Sequence, residues 1–269
     1  MIRRPFGATG VDVSVIGQGT WRMGERAADR MAEVAALRLG IDLGLTHIDT
    51  AEMYAEGGAE AVVAEAVAGQ RARVFLTTKV SPQHASYKGT IEACEASLRR
   101  LRTDSVDLYL LHWWSGRHRI EETMRAMGDL VARGLVRLAG VSNLDPAQMR
   151  AAQSAFAGGR LACNQVLYHL RDRAIEGDVL PHCQRQGMAV VGYTPLGSGG
   201  FSRSPLVEIA RRLGRTPRQV ALNFLTRRPA LFTIPKASQA SHVKENAAAL
   251  DVVLEPPDLR AIERAFPRA

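Results

Sequence analysis

Gly44-Leu45-Thr46-His47-Ile48-Asp49-Thr50-Ala51-Glu52-Met53-Tyr54 begins where an amphipathic segment closes and runs into a short apolar stretch ending in a carboxylate. His47-Ile48-Asp49-Thr50 has the length of a buried strand, which leaves Asp49 near its C-terminal end and Tyr54 in the following loop. A buried carboxylate is costly without a partner. A tyrosine, with an ordinary pKa of about 10, serves as a proton donor near neutrality only if a neighbour lowers that value. Lys79 meets both needs, at the end of the next strand-like run, Val74-Phe75-Leu76-Thr77-Thr78-Lys79. His112 closes a third, Val106-Asp107-Leu108-Tyr109-Leu110-Leu111-His112. Asp, Tyr, Lys and His thus stand at or just past the ends of three successive strand candidates, which packing alone does not require.

The same alternation covers the chain on either side. Residues 1–12 read as a short hairpin turning at Ala8-Thr9-Gly10, and Val13–Gly17 leads into Gly19-Thr20-Trp21 as a first strand. Helical spacing of apolar residues marks Arg30–Leu43, and an Ala-rich helix is expected near Ala59–Ala68. Helices at Lys88–Leu101 and Ile120–Arg133 follow the Lys79 and His112 strands, the second ending at Gly134. Val136–Asn143 is a fifth strand, after which Asp145-Pro146 caps and opens a helix. Ala162–Val166, Met188–Tyr193 and Leu231–Lys236 complete eight strands, with helices near Gly177–Gln186, Pro205–Leu213, Pro217–Arg227 and Ser241–Leu250. Pro256-Pro257 introduces a last helix reaching Phe266. Eight short apolar strands alternating with helices predict an α/β fold, a parallel (β/α)₈ TIM barrel spanning residues 1–269 as one domain. The rival, a doubly wound open sheet, is weakened because no G-x-G-x-x-G follows an early strand. In a barrel the active site lies at the C-terminal ends of the strands, where these polar residues fall.

Composition narrows the function further. The chain has 269 residues and 46% apolar content, enough for a full core. No apolar run nears the roughly 18 residues of a membrane span, and no signal segment follows the basic start, so a cytoplasmic protein is expected; a monomer that binds neither nucleic acid nor membrane is expected beside it. Cys94, Cys163 and Cys183 lack metal-ligand spacing and read as reduced thiols. The net charge of +8 is spread over helix-like segments without interleaved aromatics, so it marks solvated faces rather than a nucleic-acid surface. It still favours approach of an anionic ligand. Only four of the 35 basic residues are lysines, so Lys79 and Lys236 at strand ends suggest ammonium groups where a guanidinium would not serve.

Seven segments in order carry a specific resemblance: G-x-x-H-I-D-T-A-E-x-Y at 44–54, T-K-V at 78–80, D-L-Y-L-L-H-W at 107–113, G-V-S-N at 140–143, N-Q-V at 164–166, Y-T-P-L-G-S at 193–198 and I-P-K-A-S at 234–238. Together they resemble the aldo-keto reductases, from Gly17 to about Asn246. The resemblance implies a barrel that uses NADPH, with NADH as an alternative, to reduce a small carbonyl substrate without a metal. It makes Tyr54 the general acid, assisted by Lys79 and Asp49, with His112 bonding the carbonyl oxygen. It places Ser142, Asn143 and Gln165 at the nicotinamide carboxamide, with Tyr193 stacked on the ring. Leu196, Gly197 and Ser198 would follow the pyrophosphate, Lys236 and Ser238 the ribose phosphate, and Glu245 and Asn246 the adenine. His242 stands where relatives that prefer NADPH often carry an arginine, a weaker and pH-dependent partner for a 2′-phosphate. Trp21 and Trp113 would wall the substrate pocket. Two other readings compete: a Schiff-base lysine barrel built on Lys79, and a cofactor-binding redox sensor without useful turnover.

Overall fold

The computed structural model describes residues 2–197, 199, 201 and 205–268. Two short antiparallel strands, β1 (Arg3–Pro5) and β2 (Asp12–Ser14), form the N-terminal hairpin. Val13 and Ser14, expected to begin the first barrel strand, belong to this hairpin, since they pair with Arg4 and Arg3. The barrel strands are β3 (Gln18–Gly19), β4 (His47–Asp49), β5 (Phe75–Val80), β6 (Val106–Leu111), β7 (Val136–Ser142), β8 (Cys163–Leu167), β9 (Ala189–Tyr193) and β10 (Leu231–Thr233). They pair in parallel and in sequence order. The ring closes where Gly17 donates its N–H to Thr233 O at 2.8 Å and Gly19 donates to Pro235 O at 3.2 Å. Ten helices accompany the strands among the described residues: α1 (Arg30–Asp42), α2 (Gly58–Val67), α3 (Tyr87–Leu101), α4 (Ile120–Ala132), α5 (Pro146–Ala155), α6 (Val179–Arg185), α7 (Pro205–Leu213), α8 (Pro217–Leu225), α9 (Ala240–Ala247) and α10 (Pro256–Ala265). None is long and apolar enough to cross a membrane.

The helix starts follow local chemistry. Asp145 accepts from the N–H groups of Ala147 and Gln148, and Pro146 occupies the first turn of α5. Thr216 and Gln219 cap α8 in the same reciprocal way. Gly134 ends α4 at φ 71°, a left-handed conformation that glycine adopts without steric cost.

Alternation along the strands sorts side chains into two cores. One fills the barrel, with Phe6 of the hairpin plugging its N-terminal mouth against Phe75 and Phe232 at centroid distances of 5.3 and 5.0 Å. The other lies between strands and helices, with Leu76 and Val80 of β5 among its members. In β5 the two-residue period points Phe75, Thr77 and Lys79 into the barrel and Leu76, Thr78 and Val80 outward. The interior is therefore apolar at the hairpin end and ionic at the other. Cys94, Cys163 and Cys183 are buried and unpaired.

At the closing seam a Cβ added to Gly19 would lie 2.6 Å from Ile234 O, which is backbone and cannot give way cheaply. Gly19→Ala is expected to lower the free energy of unfolding by about 1–3 kcal/mol, the range for overpacking a close-packed site. Denaturant titration checks this, and parental stability would mean that the seam is looser than described.

Candidate active site

At the C-terminal end of the barrel β4 and β5 lie side by side, with Asp49 in register with Thr77. Lys79 extends one step further and donates from Nζ to Asp49 Oδ1 at 2.5 Å, Thr50 O at 2.8 Å and Tyr54 Oη at 3.3 Å. An ammonium has three donors, and each here has an acceptor. The second oxygen of Asp49 accepts from Gln165 Nε2 at 2.7 Å, and Thr20 donates to its backbone carbonyl. Lys79 and Asp49 are essentially inaccessible to water. Because Lys79 donates to the phenol oxygen, the Tyr54 O–H is left to point elsewhere.

Burial alone would lower the Lys79 pKa, but Asp49 and Tyr54 more than offset it, and the ammonium is held above its ordinary value. For Tyr54 the balance runs the other way. Burial raises its pKa more than the Lys79 cation lowers it, so the phenol of the free protein sits above its ordinary value. The sequence argument for a net lowering by Lys79 omitted this desolvation. His112, one residue beyond β6, faces Tyr54 edge-to-face at 5.6 Å. Burial, then repulsion from Lys79, pushes its pKa down to about 3, so the imidazole is neutral at ordinary pH. Its Nδ1 is buried without a hydrogen-bond partner among the described residues.

These groups open onto a cavity of about 680 Å³. Asp49, Tyr54, His112, Trp21, Trp113, Ser142, Asn143, Gln165, Tyr193, Leu196, Gly197 and Lys236 all line it, whereas Lys79 lies behind them. Ser142 donates to Gln165 O at 2.8 Å. Asn143 donates to His112 O at 3.2 Å and accepts from Tyr193 Oη at 3.0 Å. Lys236 donates to Ser238 Oγ at 3.0 Å, while Ser238 itself does not line the cavity. His242, Glu245 and Asn246 also stand outside the lining, on α9. Glu245 accepts from Thr216 Oγ1 at 2.5 Å and lies 3.4 Å from Arg218. Asn246 is buried, and its Oδ1 has no partner among the described residues. Ser198 lies outside the described residues.

Several lining residues were not singled out in the sequence. Arg22, Met53, Thr194, Pro195 and Arg218 all face the cavity. Arg218 carried one overlooked signal: it occupies the first turn of α8, where a cation opposes the helix dipole. Thr194, Arg22, Ala55 and Asn143 adopt left-handed backbone conformations, four of the six such non-glycine residues described. Strain of this kind gathers at functional sites, and no periodic pattern announces it.

The match to the aldo/keto reductase family covers residues 15–266. This chain belongs to that family. It is 51% identical to methylglyoxal reductase YeaE of Escherichia coli (strain K12), over 96% of this chain and 92% of the relative. An aldo/keto reductase of Klebsiella pneumoniae, crystallised with NADP and acetate, is 48% identical with a TM-score of 0.93, covering 98% of this chain and 95% of its own. A K. pneumoniae aldo-keto reductase structure with NADPH superimposes at a TM-score of 0.94, also at 48% identity, covering 100% of this chain and 97% of its own.

The aldo/keto reductase fold here buries a charge pair whose halves need each other. Lys79→Met should lower stability by about 3–5 kcal/mol, because Asp49 is left as an uncompensated buried charge. Adding Asp49→Asn should restore much of that loss. Equal losses in the single and double variants, measured by denaturant unfolding, would show that the pair is not coupled.

Proposed function

We propose that this chain reduces small aldehydes and ketones, 2-oxoaldehydes included, to alcohols with NADPH. The observation carrying this reading is that Asp49, Tyr54 and His112 line one cavity with Lys79 bonded directly behind them, and that Tyr193, Asn143 and Gln165 line the same cavity. Support also comes from the family and from the methylglyoxal reductase and NADP-bound relatives.

The residues fit the cofactor. Arg22, Arg218 and Lys236 line the cavity against Glu25 and the Lys79-paired Asp49, and cations of this kind suit phosphates. Gly197, at φ 53°, lets backbone approach closely, and the unpartnered Oδ1 of Asn246 suits an adenine amino group. When bound, the reduced nicotinamide supplies hydride to the carbonyl carbon. Asn143, Ser142 and Gln165 orient the carboxamide, and Tyr193 supports the ring. The roles of Leu196, Ser198, Lys236, Ser238, Glu245 and Asn246 along the rest of the dinucleotide, and of His242 beside the 2′-phosphate, belong to the same proposal.

His112, neutral with a pKa of about 3, lacks the second ring proton of an imidazolium near pH 7 and acts through its remaining N–H as a hydrogen-bond donor to the carbonyl oxygen. Tyr54 holds its proton in the resting site and releases it as negative charge grows on that oxygen. Lys79 stabilises the resulting tyrosinate, and Asp49 keeps the ammonium charged and aimed. Trp21, Met53 and Trp113 form an apolar wall for the substrate, and the C-terminal helix α10 contributes nothing to the lining. The proposal also takes the chain to act as a monomer. A Schiff-base role for Lys79 fits poorly, because its amine is buried, charged and covered by Asp49 and Tyr54 on the cavity side.

A panel of aldehydes and ketones, followed by loss of absorbance at the reduced nicotinamide band, tests the reading. Tyr54→Phe should lower kcat by at least ~10²-fold while leaving NADPH binding nearly intact. Parental turnover in that variant would remove the assigned acid and favour a sensor role. His242→Arg should raise the preference for NADPH over NADH about tenfold in the ratio of dissociation constants. An unchanged ratio would place His242 away from the 2′-phosphate.

A further inference from the structure

The strand that turns Lys79 inward turns its neighbour Thr78 outward, where the hydroxyl donates to Glu60 Oε1 at 2.6 Å. Glu60 is wholly buried in the first turn of α2. Its other oxygen accepts from Arg100 Nε, on α3, at 2.6 Å. Arg100 also donates to Ser97 Oγ at 3.1 Å, which holds the guanidinium in place. The stem of Arg100 lies directly on Gly57: a Cβ there would fall 2.5 Å from Arg100 Cδ and 2.6 Å from Nε.

Gly57 is the last of three consecutive left-handed residues, Ala55 at φ 49°, Glu56 at φ 52° and Gly57 at φ 89°. They follow Tyr54 immediately. Two of them carry a Cβ, so this backbone path persists only if its surroundings over-determine it. Gly24 also packs closely on the residue that follows this turn, since a Cβ on Gly24 would lie 2.4 Å from the carbonyl carbon of Gly58. The turn is thus in close contact with both the Gly24 backbone and the Arg100 side chain. Glu60 is buried while the Arg100 side chain is 32% exposed, and an ion pair with a buried member seldom stabilises a fold more than apolar residues of the same volume would. Stability alone therefore does not require Glu60 and Arg100.

We propose that Glu60 and Arg100 are positioning residues that lock the left-handed turn behind Tyr54 and so fix the phenol against Lys79. The inference rests on the reading of Tyr54 as proton donor. Through Thr78 the lock is referenced to the strand that carries Lys79, so one strand sets the places of both cation and acid. Without the lock, Ala55 and Glu56 relax toward right-handed conformations and carry Tyr54 with them. A displacement near 1 Å costs roughly 10²-fold in rate when a reacting group is involved.

Arg100→Lys keeps a cation for Glu60 but removes the planar guanidinium and its bond to Ser97. It should lower kcat tenfold or more, change the NADPH dissociation constant less than twofold, and speed amide hydrogen exchange across residues 55–58. Thr78→Val, nearly isosteric and uncharged, should reproduce the kcat loss in smaller measure, and it decides the matter if Arg100→Lys does not fold. A fall in Tm with kcat and local exchange unchanged would show a merely structural pair and overturn the proposal. Tyr54→Phe is measured alongside. If it is inactive while the folded brace variants keep parental kcat, the lock is wrong and the donor right. If it keeps full turnover, the donor assignment fails, and with it the proposed purpose of the lock.

Discussion

A lysine and an aspartate taken out of water together set the terms for the rest of this barrel. Lys79 and Asp49 are nearly inaccessible, and desolvating two charges is offset only when every remaining lone pair and proton is also satisfied. The structure meets that condition with few groups to spare. Thr50 O and Tyr54 Oη take the other two ammonium protons, and Gln165 Nε2 fills the second carboxylate oxygen. Those three partners come from the end of β4, from the loop beyond it and from β8, across the barrel. Satisfying one ion pair therefore draws four segments to a common point. Two of the groups so drawn, Tyr54 and Gln165, line the cavity.

The barrel makes this affordable by dividing its interior along the strand axis. Phe6, Phe75 and Phe232 close the hairpin end with packed rings, beside a His47 whose burial holds its pKa down to about 4. Rigid packing there lets the opposite end carry charges and unfavourable backbone. Arg22, Ala55, Asn143 and Thr194 lie in four different loops, yet all four are left-handed and all face the same cavity. Loops held in such conformations must be fixed by their neighbours, and the neighbours here are strand ends that cannot move independently.

Much of the fold was legible because it repeats. Most barrel strands lie in bounded apolar runs, and some helices have a start signal such as Asp145-Pro146 or Thr216-Pro217. The exception was Val13-Ser14, apolar enough for a barrel strand but claimed by the hairpin through pairing with Arg3 and Arg4, which linear reading does not reveal. The proposed catalytic quartet was legible for a similar reason: polar residues at strand ends stand out against apolar runs. Arg218 and Thr194 did not stand out, because their place at the cavity depends on loop paths rather than period. The Tyr54 pKa escaped as well. Its sign depends on how far the ring is buried, and a sequence shows the neighbouring cation but not the lost water.

That sign bears on how an acid of this kind works. A phenol whose pKa had already been pulled to neutrality would spend much of its time as tyrosinate and have no proton to deliver. Here burial keeps Tyr54 protonated while the cation that favours the deprotonated state waits 3.3 Å away. The two influences act on different states. Desolvation penalises tyrosinate before any charge has formed nearby, whereas on the proposed reading Lys79 would stabilise it once negative charge has grown on the substrate oxygen and taken up the proton. On the proposed reading His112 does not substitute, since burial first and the Lys79 cation second keep its imidazole from taking up the second ring proton it would need as an acid. Burial and the ammonium would then disable the imidazole as an acid while the ammonium favours the deprotonated phenol, which leaves Tyr54 as the route proposed for the proton.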